Sequence, residues 1–426
     1  MTETTTALCV LLIFLVPLAA AGLSLINAGL GRSRSAAHSM LSSLAVLAVA
    51  VLVYFLCGFS WQGFAAGPAH IVTVAGRSWN WIAAEPFLLR GLQSGGSAAS
   101  LAALLQMFSV GLAALIPLGA GTDRWRLGAA CASTALLAGC TYPIFAHWVW
   151  GGGWLAQLGV NCGLGRGFLD AGGAGCIQAV GGLTAWSIAC ILGPRRGKYA
   201  MDGAPAAIPG HNAVLVLLGC FLALLGWFGL NCAGSILNAS AAPGAVAGVA
   251  IDTMLAAATA ALAAAAITRA RFGRPDASLC ANGWVGGLVA SSAACAFLTP
   301  AAAVLTGLVA GTMVTFSVEW LDIHLGVDDP AGSISVHALG GIWGLLALGI
   351  LARIPGDSGQ FVAQLVGVAT LLGFVLPLTY SLNWLLNRFY PQRVPAEGER
   401  QGMDLYELGA GAYPEFVIHR EDLTQG

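Results

Sequence analysis

The chain has 426 residues, of which 58% are hydrophobic and only 9% charged, and its formal net charge is −1. Its mean hydropathy is +0.80. About a quarter of a soluble domain is charged, so the composition excludes that class, points to a chain dissolved in lipid, and offers no basic surface for nucleic acid.

Eleven apolar segments are long enough to cross a bilayer at about 1.5 Å per residue. They fall at residues 7–30, 39–59, 100–121, 127–149, 172–193, 213–231, 243–268, 278–298, 301–320, 334–352 and 362–387. The expected fold is an all-α membrane protein over residues 1–387. Its halves run from about 7–193 and 213–352, an extra helix spans 362–387, and a polar tail covers 388–426. Basic residues follow helices 1, 3, 5 and 7: Arg32 and Arg34, Arg124 and Arg126, Arg195, Arg196 and Lys198, then Arg269, Arg271 and Arg274. Four more, Arg388, Arg393, Arg400 and Arg420, lie in the tail, whereas the other side holds only Arg77, Arg90, Arg166 and Arg353. By the positive-inside rule the carboxyl end is cytoplasmic, and an odd helix count then puts the amino end outside. The start, Met-Thr-Glu-Thr-Thr-Thr, lacks a basic stretch, so no cleaved signal is expected.

One motif occurs twice. Asp170 precedes Gln178 by eight residues and a glycine pair ending at Gly182; Asp329 precedes His337 and Gly341 at the same spacing. The copies sit in helices 5 and 10, which are glycine-rich and suited to close packing at a bundle centre. Helices 1–5 and 6–10 have opposite directions, so the array reads as an inverted 5+5 repeat with an eleventh helix. Matched polar residues in such repeats mark the substrate path, which makes Gln178 and His337 the first candidates. Gln178 also reads as a group that only satisfies buried polar neighbours. Asp170 and Asp329 also read as helix caps.

The eleven cysteines form no CxxC pair and read as small apolar filler. His38, His70, His324 and His419 read as loop or membrane-edge residues, and His147 and His211 as helix-end hydrogen-bonding groups. Trp148 and Trp154 read as interfacial anchors. Neither a nucleotide-binding loop nor a loop long enough for an energy-coupling domain occurs, so any transport would run down a gradient. No cofactor or metal-ligand spacing is found, and no nucleophile or third orienting group accompanies Gln178 and His337, so an enzyme is not expected.

The stretch His147-Trp-Val-Trp150-Gly-Gly-Gly-Trp154, joined to Asp170 and Gln178, resembles the ammonium transporter family (Amt/Mep/Rh), nearest its bacterial Amt branch. Asp123-Arg124, Gly226-Trp-Phe-Gly-Leu-Asn231, Asp328-Asp329 and the tail from Gly402 to Tyr413 match as well. The resemblance implies a homotrimer of eleven-helix subunits in the inner membrane, each with a narrow pore for ammonium or ammonia. Trp150 matches the tryptophan of the family's outer vestibule, and Asp170 the aspartate below it. His337 matches the second of two pore imidazoles, and Gln178 stands where the first is usual. The family's two stacked phenylalanines fall on Ser109, with Phe108 one place off, and on Leu230. Its vestibule serine falls on Gly234, with Ser235 adjacent; a one-residue bulge would restore Phe108 or Ser235. Glu407 and Tyr413 match ordered turns of a regulatory tail, where PII-type signalling proteins act in the family. The expected function is an ammonium channel or transporter with a modified pore. The alternatives are a weakly conducting or non-conducting sensor, or a channel for another small solute. No output domain follows in this sequence, which weighs toward transport.

Overall fold

The structure, a computed structural model, describes residues 1–65, 67–90, 92, 98–354 and 358–413. His419 and Arg420 lie outside the described residues. In chain order the long helices are α1 (Glu3–Leu30), α2 (Ser33–Gln62), α3 (Ala98–Gly121), α4 (Leu127–Val149), α5 (Ala174–Leu192), α6 (Ala213–Ala239), α7 (Pro243–Phe272), α8 (Ala277–Ser292), α9 (Pro300–Leu325), α10 (Ile334–Leu351) and α11 (Gln360–Phe389). Ten of them are long and apolar enough to cross a membrane. The exception is α8, expected at 278–298: its 16 residues rise about 24 Å, and turns carry the chain on to α9. Polar caps set several starts. Asn212 accepts from two amides of α6, Asp276 caps α8, and Thr299 caps α9 with Pro300 at its first position.

The fold is the inverted repeat of five helices plus one. Its symmetry is visible where small residues meet. The first helix of each half packs on the other through glycine: a Cβ on Gly22 would lie 2.6 Å from the Gly219 carbonyl, and one on Gly219 would lie 2.6 Å from that of Gly22. The fifth helices do the same. A Cβ on Gly182 would collide with the Ala338 backbone nitrogen, and one on Gly341 with the Ala174 carbonyl. Such contacts let backbones approach without hydrophobic driving force, which lipid does not supply. Helix α11 lies across α5 and α10, and its outer side exposes Phe361, Val362, Leu365 and Leu372, a surface matched to hydrocarbon.

The face holding most basic residues is closed by a buried ionic network. Arg195 bonds Asp328 twice, Nε to Oδ2 and Nη2 to Oδ1, each at 2.9 Å, and reaches Asp123 at 3.2 Å. Fully buried Arg124 donates to the carbonyls of Asp328 and Gly193. First-half residues thus grip the start of the second half's last helix. Burial alone would raise the Asp328 carboxyl, but the hydrogen bonds from Arg195 and the charges of Arg124 and Arg195 hold it below its ordinary value.

The tail folds against this face. Asp404 accepts from the amides of Ala37 and His38 in the first turn of α2, and Glu407 accepts from Leu127 at the start of α4 and pairs with His38 at 2.8 Å. Both carboxylates sit at helix amino ends, where the dipole favours negative charge. The Tyr413 hydroxyl meets His211 at 3.1 Å, and the other His211 ring nitrogen faces the Gly31 carbonyl, as expected of a helix-end group. His38 departs from its reading as an edge residue: it is 6% exposed, because a carboxylate 369 positions later covers it.

Two further departures lie on the opposite face. Residues Ala69–Val74 and Arg77–Ala83 form a β-hairpin, β1–β2, joined by Ala75 and Gly76, whose φ values of 51° and 72° suit the strongly twisted two-residue turn. Trp148 is no anchor. It is 2% exposed, donates to the Trp81 carbonyl and packs 4.7 Å from Phe374. Trp154 stands edge-on against it and is half-buried.

Candidate functional site

Each half delivers its polar residue by the same device. Three residues after the aspartate, a glycine takes a left-handed conformation: Gly173 at φ 91° and Gly332 at φ 69°. The aspartate then caps the helix that follows. Asp170 accepts from the amides of Gly173, Gly175 and Cys176 at 2.8–3.0 Å, and Asp329 accepts from Ile334 at 2.7 Å. Burial lifts the Asp170 carboxyl above its ordinary value, and the three amides offset this only in part. It lifts Asp329, which has fewer donors, to about 6.

Both helices open with a wide π-type turn, Ala174–Ala179 in α5 and Ile334–Leu339 in α10. The Gln178 amide reaches back five residues to the Gly173 carbonyl, so one extra residue is accommodated in the turn. Turns of this kind recur at functional positions. Their effect here is to aim Gln178 and His337 at each other where α5 and α10 touch. The His337 Nδ1 donates to Gln178 Oε1 at 2.7 Å, with Gln178 fully buried and His337 5% exposed.

That bond assigns the chemistry of the pair. A carboxamide oxygen only accepts, so Nδ1 carries the proton and the His337 Nε2 lone pair is left as an acceptor. The Gln178 amide nitrogen is buried and has no partner. The pair therefore offers one donor and one acceptor, which suits a small neutral solute with both functions.

On the face away from the basic network lies a cavity of about 150 Å³ lined by Phe59, Gln62, Phe64, Gln106, Trp150 and Asn238, among others. The Trp150 indole nitrogen donates to the Asp170 carbonyl at 2.7 Å, and Asn238 donates to the Ala171 carbonyl at 2.9 Å, so the cavity wall and the α5 cap are one hydrogen-bonded unit. Aromatic rings cluster beside it. Phe59 stacks on Phe64, and Tyr54 stands edge-on to both Phe59 and Tyr142. The hydroxyls of Tyr54 and Tyr142 donate to Gln62 and Gln106. Tyr54 and Tyr142 were missed in the sequence, where phenylalanine was sought at two fixed places.

The remaining candidates keep the residues that the sequence puts there. Helices α3 and α6 run without a bulge past them, so neither Phe108 nor Ser235 is shifted by a register change. Ser109 is buried and its hydroxyl donates to its own helix at Leu105; Leu230 is buried. Gly234 has a steric reason, since a Cβ there would lie 2.5 Å from the Ala171 carbonyl. Ser235 turns back to the Cys232 carbonyl at 2.8 Å. His147 bonds the Gln62 carbonyl at 2.7 Å, the helix-end role expected of it. Among the described residues no group of His, Cys, Asp or Glu could hold a metal ion.

The architecture is that of a multi-pass membrane protein built from two inverted halves that meet at a buried polar pair. A model of the Ammonium Transporter Family matches residues 7–413, and the chain belongs to that family. It is 36% identical to the ammonium transporter Amt2 of Archaeoglobus fulgidus over 96% of this chain and 88% of that one. It is 30% identical to the ammonium transporter of Bacillus subtilis, with 96% and 97% covered. A solved structure described as a sensor Amt protein superposes with a TM-score of 0.84 at 29% identity, covering 94% of this chain and 97% of its own. Saccharomyces cerevisiae Mep2 gives 0.80 at 25% identity, with 93% and 90% covered. Members of this family are transporters or channels and not enzymes.

Proposed function

We propose that the chain passes ammonium-derived nitrogen across a cell (inner) membrane as neutral ammonia, with the basic face and tail in the cytoplasm and the amino end outside. The observation that carries this reading is the 2.7 Å bond between Gln178 and His337, buried where the two halves touch. Ammonium is held in the outer cavity by the Trp150 face, an attraction of up to about 2 kcal/mol for a desolvated cation. Asp170, just beneath, favours positive charge there and positions the indole. Removing a proton is cheaper than stripping an intact cation of water, so ammonia is the species that reaches Gln178 and His337. Ser109 and Leu230 leave the usual narrowing to the aromatic cluster of Phe59, Phe64 and Tyr142, while Gly234 has no hydroxyl and that of Ser235 is bonded to its own helix.

By family resemblance the working unit is a homotrimer, and Glu407 and Tyr413 seat the tail where a PII-type signalling protein would act. A sensor reading is favoured by the solved neighbour described as a sensor Amt protein and by the ordered tail. Transport is the reading supported by the relatives named ammonium transporters.

The test is uptake of labelled methylammonium into proteoliposomes, with current recorded in the same preparation. Uptake well above that of empty vesicles is expected. Trp150→Leu should raise the half-saturating concentration about tenfold, the equivalent of about 1.4 kcal/mol. Ammonium binding without uptake or current would leave the sensor reading in its place.

A further inference from the structure

Helix α2 opens with a single 3-10 turn, Ser33–Ser35, and becomes α-helical at Ala36. The residue just before such a start is where a serine caps a helix, its hydroxyl accepting from the second or third amide. Ser35 holds that position, and the two amides belong to Ala37 and His38. Yet its side chain makes no capping bond. The tail has taken both amides: Ala37 donates to Asp404 Oδ2 at 3.2 Å and His38 to Oδ1 at 2.7 Å. Asp404 is 1% exposed. Gly402 brings it there, at a φ of 98° and so near the Arg34 carbonyl that an added Cβ would lie 2.5 Å away.

The displaced serine shows in the packing. Ser35 is 3% exposed, and its hydroxyl is buried without a hydrogen-bond partner, a state that buried polar groups rarely hold. It lines a cavity of about 20 Å³ shared with His38, Ser42 and Asp123, so there is space beside it to move. Its ψ of 11° is not the extended backbone of a capping residue. Rotation into that region would aim the hydroxyl back at its own helix.

We propose that α2 has two interchangeable caps, Asp404 when the tail is seated and Ser35 when it is lifted. The same two amides serve both, so the arrangements exclude each other and the start of α2 is a two-state element. The far end of this helix supplies Phe59 and Gln62 to the outer cavity. A tail with a replacement cap in waiting can leave and return without unravelling the helix that walls the cavity. The exchange concerns the seat of the tail and does not depend on which solute passes.

Hydrogen exchange, read by mass spectrometry on the full-length protein in detergent, follows the amides around Ala37 and His38. Ser35→Ala alone should leave their protection native, because Asp404 still holds them. Asp404→Ala should keep most of it, because Ser35 takes over. Adding Ser35→Ala to Asp404→Ala should then cut protection about fivefold, the effect of losing one helix cap. Ser35→Asn in the same background should keep it, since asparagine caps as well as serine. Melting should agree: Ser35→Ala should lower the melting temperature more in Asp404→Ala than in the native protein. Equal protection in Asp404→Ala with and without Ser35→Ala, with equal melting losses in both backgrounds, would overturn the exchange and leave Ser35 a bystander.

Discussion

At the centre of the bundle Gln178 faces His337 across a 2.7 Å hydrogen bond. A neutral imidazole facing another imidazole can exchange which nitrogen bears the proton, and near pH 6.5 it can also carry charge. Opposite Gln178 that freedom is gone, because the amide oxygen demands a proton on Nδ1 of His337 and the amide has no accessible charged form. We therefore expect uptake with little accompanying current in the native protein. Gln178→His should add an ammonium-evoked current without a matching rise in uptake, measured in the same vesicles. Equal current in both proteins would show that the amide is not what separates charge from solute. This pair was legible in the sequence because the duplicated motif puts both residues at the same spacing from an aspartate and a glycine. Gly234 was legible only as a departure. Its reason, the Ala171 carbonyl lying against its Cα, comes from a distant loop that no local pattern reveals. Trp148 misled for a similar cause: the ring that buries it, Phe374, belongs to the last helix.

Among the elements, α5 and α10 carry the design. Each opens with a capped left-handed glycine, widens into a π-type turn and ends the motif on a glycine that touches the other helix. The glycine spacing was visible beforehand; the extra residue in the turn was not, since hydropathy cannot distinguish four-residue from five-residue hydrogen bonds. Gly341→Ala inserts a methyl group against the Ala174 carbonyl, and overpacking of this kind costs about 1–3 kcal/mol. The expected outcome is a lower melting temperature and at least a tenfold loss of uptake, because the Gln178–His337 distance grows with helix separation. Gly340→Ala is the control: its nearest neighbour, a Val289 methyl, is 3.5 Å from the added Cβ, so it should leave both values near native. The hairpin β1–β2 was missed although Ile71-Val-Thr-Val is β-branched throughout and Ser78-Trp-Asn-Trp alternates at strand period. An apolar composition drew attention to helices, and the Ala75-Gly76 turn lacks the usual Asn-Gly signature.

For the whole molecule, the buried network between the halves sets the response to acid. Asp328 has a depressed folded pKa, so its contribution to stability is present above the unfolded value of about 3.9. It is lost as pH falls through the lower folded value. The network's share of the melting temperature in detergent, read as the difference between the native protein and Asp328→Asn, should hold from neutral pH down to about 4 and fall below it. Asp328→Asn should lower the melting temperature already at neutral pH, by the equivalent of about 3 kcal/mol, since buried Arg195 would keep only Asp123 as a counter-charge and buried Arg124 would lose its own. A variant as stable as the native protein at pH 7 would show that the network does not join the halves. Asp328 and the arginines were readable as charges in loops, but their convergence required the inverted topology to bring residues 133 positions apart together. The tail adds an asymmetry to this symmetric frame. Among the described residues its bonds run to Arg34, Ala37, His38, Arg124, Trp125, Arg126, Leu127, Leu192, Arg196 and His211 in the leading repeat and the connector after it, and to Asn383 and Asn387 of α11. A tug on the carboxyl-terminal strap is thus delivered directly to the leading twin and reaches its sibling only by way of the last helix, which rests on both.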